Sequence, residues 1–125
     1  MLAAVLAGSV TAAAADIVDG NYMGSGRACY GMLTITAQRI TWTTPFSQCR
    51  TSSYAVLDRD VGPGGVRVAY QLRNPGTACR YSVLVLTHRA KADMQIGWNV
   101  TGFPSLDDTL RDRRDAALGC YLYRY

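Results

Sequence analysis

Met32-Leu33-Thr34-Ile35-Thr36, then Ala37-Gln38-Arg39, then Ile40-Thr41-Trp42-Thr43, is the stretch on which the fold turns. Apolar and polar side chains alternate on both sides of a short polar connection, the period-two signature of two strands that each bury one face. This predicts an antiparallel hairpin with Leu33, Ile35, Ile40 and Trp42 on its inner face. If Ile35 lies opposite Thr41 or its neighbour, the same register carries Cys29 toward the region of Cys49. Cys29–Cys49 is therefore the expected first disulfide.

Working outward, Gly20–Gly24 reads as a short strand before the hairpin, and Pro45 ends the strand after it. Extended structure resumes over Ser53–Arg59 and stops at Gly62-Pro63-Gly64-Gly65, the strongest turn signal in the chain. Val66, Val68, Tyr70 and Leu72 then alternate with Arg67, Ala69, Gln71 and Arg73, the pattern of one buried and one wetted face. Tyr81-Ser82-Val83-Leu84-Val85-Leu86 is apolar on both faces, so something must cover its outer side. Met94–Val100 returns to alternation, and Cys120–Tyr125 sets Tyr121, Tyr123 and Tyr125 on one side. That exposed aromatic strip suits protein contact.

One helix is expected, from about Ser105 to Leu118, with Ser105 and Asp108 at capping-box spacing and Gly119 closing it. Asp107 and Asp108 stand in its first turn, ahead of Arg111, Arg113 and Arg114, which suits the helix dipole. Leu106, Leu110, Ala117 and Leu118 form a modest apolar stripe, expected to pack on the double-sided strand through Leu84 and Leu86. Cys79 and Cys120 each open a strand, and their pairing would pin the helix-bearing segment at both ends. The expectation is a mainly β fold, a small antiparallel meander barrel or sandwich of about seven or eight strands, with one helix near the C-terminus. Small secreted barrels of the lysozyme-inhibitor and avidin types have this size, but no diagnostic motif of either is present, so the likeness is one of architecture alone.

Composition agrees. The chain has 125 residues, 49% apolar and 18% charged, which suffices for one core and one domain. Its thirteen cations are Lys91 and twelve arginines, its nine acids are all aspartate, and eight tyrosines add to the strand-forming bias. Residues 1–15, MLAAVLAGSVTAAAA, carry no charged side chain and end in an Ala-x-Ala pattern, which reads as a secretory signal peptide cleaved before Asp16. A single disulfide-stabilised domain over 16–125 follows. Four cysteines in a chain of this size favour an oxidising, periplasmic or secreted location, and the leader style suggests a bacterial source. The apolar run is too short to cross a membrane.

Catalytic chemistry finds little foothold. His88, the only histidine, reads as a partly exposed strand-end residue, since a general base would need a nucleophile and an orienting acid. Asp107 and Asp108 fit a helix's first turn, and Asp58 and Asp60 flank a turn, so no carboxylate is placed in an apolar pocket. The cysteine spacings and the lone histidine exclude a standard zinc set, and no cofactor is implied. The Gly-rich turn at 62–65 lacks the following helix and Lys-Ser/Thr of a phosphate loop.

Arginine-borne charge, net +4, suits carboxylate, phosphate or sulfate, but Arg73 and Arg80 should lie at one end of a barrel and Arg89 and Lys91 at the other. Nucleic acid is disfavoured by the modest charge and the absence of a recognition motif. Trp42, Tyr70, Tyr81 and Trp98 fall on inner faces, where they either line a ligand cavity or fill the core. The functional expectation is an exported, non-catalytic binding protein whose partner is a protein or a small anionic or apolar ligand. The alternative is a protein inhibitor of a cell-wall hydrolase such as lysozyme, using an acidic loop around Asp58 and Asp60; a small hydrolase built on His88 ranks third.

Overall fold

The computed structural model describes residues 17–89 and 95–125. The expected leader at 1–15, Lys91 and the start of the strand expected from Met94 lie outside the described residues. Nine strands run in chain order: β1 (Gly20–Gly24), β2 (Gly31–Ile35), β3 (Ile40–Thr44), β4 (Ser47–Ser52), β5 (Tyr54–Gly62), β6 (Gly65–Leu72), β7 (Val83–Arg89), β8 (Trp98–Phe103) and, after helix α1 (Leu106–Leu110), β9 (Leu118–Arg124). They form one antiparallel sheet in the order β4-β3-β2-β1-β9-β8-β7-β6-β5, curled into a nearly closed barrel.

The expected hairpin is β2–β3, with Leu33 facing Trp42 and Ile35 facing Ile40. All four are buried, as are Val66, Val68, Tyr70 and Leu72 on β6. The interior is packed with large side chains: Tyr22, Trp42 and Trp98 are each no more than 1% exposed. Tyr22 and Trp98 meet edge to face at 5.2 Å, a geometry that aromatic quadrupoles favour. At that end of the barrel the Arg124 guanidinium lies over both rings, 5.1 Å from Trp98 and 5.8 Å from Tyr22, and bonds the Asp19 carbonyl at 3.4 Å.

The strand missing from the sequence reading is β4. Its inward side chains are Ser47, Cys49 and Ser52, too polar to register as a core strand. They serve as anchors. Ser47 Oγ accepts the Arg80 amide and Ser52 Oγ the Asn74 amide, each at 2.8 Å. Along the same edge, the Gln48 and Arg50 amides donate to the carbonyls of Ala78 and Pro75. The connection from β6 to β7 thus lies along the outer edge of β4 and fills the gap that the sheet order leaves between β4 and β5. Edge strands are commonly protected by such covering.

This topology overturns the expected disulfide pairing. The bridges are Cys29–Cys120 and Cys49–Cys79. Because the chain turns at Pro45-Phe46, Cys49 sits on β4, opposite Trp42 and one strand further from Cys29 than the extended hairpin register implied. There it fastens the covering connection. Cys120 lies on β9, which pairs with β1 through Met23–Tyr123 and Gly24–Leu122, and this register brings it to the loop that carries Cys29.

The helix is also shorter than expected. Ser105 caps it as read, its hydroxyl accepting the Asp108 amide at 3.1 Å. It ends after Leu110, however, because Asp112 takes a left-handed conformation at φ 49°. The Arg113 amide then donates to the Asp108 carbonyl at 2.8 Å and the Asp112 amide to that of Thr109 at 3.1 Å, the double bond pattern of a Schellman closure. Aspartate fills the position where glycine was expected seven residues later. Leu106 and Ala117 pack on Ala69, Val83, Val85 and Phe103, not on Leu84 and Leu86, which face the interior. The outer side of β7 is covered as required, but by the opposite residue set.

Gly102, on β8, shows how closely the interior is filled. A Cβ there would stand 2.7 Å from Trp42 Cζ3 and 2.8 Å from Tyr81 Cγ. Gly102→Ala should therefore cost about 1–3 kcal/mol in urea denaturation, the usual range for overpacking. An unchanged midpoint would show that the two rings yield freely.

Candidate functional site: an outer-face cleft

The four aromatic residues singled out from sequence lie in one packed core, in three separate ring contacts. Trp42 and Tyr81 meet at 5.7 Å near Gly102, Tyr70 packs on Tyr54 at 4.8 Å, and Trp98 packs on Tyr22. Their exposures are 1% for Trp42, 2% for Tyr70, 8% for Tyr81 and 0% for Trp98, so all four serve as core filling.

His88 is buried rather than partly exposed. It points inward from β7, lies 4.5 Å from the Trp98 ring, and has Nε2 2.8 Å from the Ile96 carbonyl. Asp107 and Asp108 hold Arg113, and Asp58 pairs with Arg67 at 3.3 Å. The acidic loop invoked for an inhibitor is thereby partly neutralised. As expected, Arg73 and Arg80 lie in the β6–β7 connection while Arg89 ends β7 level with Gly65 at the other end.

The outside of the barrel is where an open site forms. Side chains pointing outward along β7 run from Val83 and Val85 to Thr87 and Arg89, so one face changes from apolar to polar along a single strand. The segment bearing α1 covers the apolar end and stops short of the polar one. A cleft of about 420 Å³ opens at this boundary, with Val85 and Phe103 in its floor and Thr109, Asp112 and Arg114 in its wall. That volume lies within the range of small-molecule sites.

Strand register aligns the polar floor. Arg67 pairs with Thr87, Thr87 with Asn99, and Asn99 with Tyr121, a straight row across β6, β7, β8 and β9. Neighbouring members stand about 4.8 Å apart, the strand spacing. One step along, Val85 pairs with Thr101. The row continues under two adjoining hollows, one beneath the Gly62–Gly65 turn and one beside Ile96.

Among the described residues the side chains of Thr87, Asn99, Thr101 and Tyr121 make no hydrogen bond with protein, whereas Thr34, Thr41 and Thr51 on the other outer face pair with side-chain partners. Arg67 and Arg114 are each held by one contact, Nε to Asp58 and Nε to Asp112 at 3.0 Å. Among the described residues neither guanidinium makes a further ion pair, although Asp60 stands opposite Arg67 in the strand register. Arg114 also lies over the Phe103 ring at 5.8 Å, which fixes its stem against the sheet.

The sequence reading missed this site because the row is assembled from four strands, one residue from each. Only the outward alternation of Arg67, Thr87 and Asn99 hints at it, and register is what joins them. Comparison with protein-family models, curated proteins and solved structures gives no significant match.

The expected tyrosine strip is present along β9 and the residue that follows it. Tyr121, Tyr123 and Tyr125 are 64%, 47% and 58% exposed, with the Tyr123 and Tyr125 hydroxyls donating to Met23 and Met32 sulfurs at 3.3 and 3.4 Å. Tyr121 alone borders the cleft. No described helix is long and apolar enough to cross a membrane, and two disulfides fit a secreted protein.

Proposed function

We propose that this chain is an exported, non-catalytic binding protein that takes a small polar ligand on the outer face of β6–β9. The observation that carries the reading is the aligned row Arg67–Thr87–Asn99–Tyr121, whose neutral side chains are left without protein partners beside a cleft of ligand size. The filled interior supports it from the other side: the residues that would line an internal cavity are spent on packing. Two disulfides and the signal-peptide-like residues 1–15 support export to the periplasm or beyond, and the leader style supports a bacterial source.

Native mass spectrometry of the protein isolated from its own source tests this. The expected spectrum shows an added mass on the oxidised chain, lost in a Thr101→Trp variant that fills the cleft. Equal retention by both would place the ligand elsewhere and overturn the outer-face site. A bare chain with a co-purifying polypeptide would overturn it in favour of hydrolase inhibition. That second reading draws on the exposed outer part of β5, Leu57–Gly62, which projects Asp60 and the Gly-rich turn.

A further inference from the structure

We infer that the outer-face cleft recognises an acidic saccharide, a sugar ring bearing a carboxylate; this rests on the reading of the cleft as the binding site and adds the chemistry of its ligand. Three features of the cleft converge on that class.

Hydroxyl and amide groups that both donate and accept match the hydroxyls of a sugar, which do the same. Thr87, Thr101 and Asn99 offer such groups from adjacent strands, and among the described residues none of these side chains has a protein hydrogen bond. A ligand with only acceptors, such as sulfate, would leave the accepting capacity of this floor unused.

Tyr121 supplies the second feature. The residue is 64% exposed and stands where the cleft meets the hollow beside Ile96. An exposed ring at the edge of a polar floor offers an apolar face to the C–H side of a pyranose while the hydroxyl rim turns to the threonines.

Arg67 and Arg114 supply the third. They approach from different elements, β6 and the segment after α1, and in each the ion pair to Asp58 or Asp112 engages Nε, while among the described residues no hydrogen bond holds the terminal nitrogens, even with Asp60 opposite Arg67. A guanidinium presents parallel donors that fit a planar carboxylate. Tethering through Nε orients the group before a ligand arrives, which lowers the ordering cost of binding. A neutral sugar would leave these donors to water.

Titration calorimetry of the mature, oxidised protein with trigalacturonate at low salt tests the assignment, with the methyl-esterified trimer, sodium sulfate and a triaspartate peptide as comparisons. Trigalacturonate should bind at least tenfold more tightly than each comparison. Arg114→Gln should remove most of that preference, and Asn99→Ala or Thr87→Val should weaken both saccharides alike, with melting temperatures near the parent's. Equal binding of the esterified trimer, still lost in Thr101→Trp, would overturn the acidic assignment and leave the outer-face site standing. Sulfate or triaspartate binding as tightly would reduce the cleft to a general anion or peptide site and overturn the saccharide. No heat with any saccharide at millimolar concentration would overturn this inference too, leaving the native-mass test to decide the site itself.

Discussion

Trp98→Ala destabilises the protein by about 3–5 kcal/mol, the range for removing a fully buried large aromatic side chain. Trp98 has no exposed surface and meets Tyr22, His88 and Arg124 around its ring, so its loss empties one end of the barrel. The cation over the indole adds to the effect because the Arg124 guanidinium keeps its charge while losing that face. Tyr121→Ala is the control: an exposed aromatic on the next strand, expected to change stability by no more than about 0.5 kcal/mol. Urea denaturation of the pair measures both. Comparable losses for the two variants would contradict the division between a packed interior and an open outer face.

Joint replacement of Cys29 and Cys120 by serine should have an effect of similar size. The bridge closes a separation of 91 residues, against 30 for Cys49–Cys79. On the chain-entropy view the longer loop is worth about 4–5 kcal/mol and the shorter about 3.5 kcal/mol, through restriction of the unfolded chain. The Cys29–Cys120 variant should therefore have the lower urea midpoint. Peptide mapping without reduction should recover Cys29 with Cys120 and Cys49 with Cys79. Recovery of Cys29 with Cys49 would restore the simple hairpin register and contradict the placement of β4.

Period-two alternation is legible wherever a strand buries one face against apolar neighbours, and so β2, β3, β6 and the two-sided β7 can be read directly. It fails at β4 because small polar residues point inward there and bond the β6–β7 connection instead of packing in a core. That single omission displaces Cys49 by one strand and produces the wrong cysteine pairing. Helix α1 is readable at its start, where Ser105 makes a local side-chain bond. Its end is not, because Asp112 adopts a left-handed conformation that glycine more commonly supplies.

Aromatic residues on inner faces were the natural candidates for a ligand cavity in a barrel, and packing geometry decides against that use. Trp42 and Tyr81 close on Gly102, and Trp98 closes on Tyr22 and His88. The cleft depends on long-range register and on where the α1 segment stops covering the sheet. Neither quantity is written in a local pattern. What the sequence does contain is the outward polar set on β6, β7 and β8, ordinary in each strand and distinctive only when aligned.

Amide chemical-shift mapping tests the outer-face site most directly. With ¹⁵N-labelled oxidised protein and the ligand recovered from its native source, or trigalacturonate in its place, shifts should cluster at Thr87, Asn99, Thr101, Arg114 and Tyr121. The indole signals of Trp42 and Trp98 should stay in place. Movement of those two indoles, with the outer row unchanged, would put the ligand inside the barrel and contradict the outer-face site.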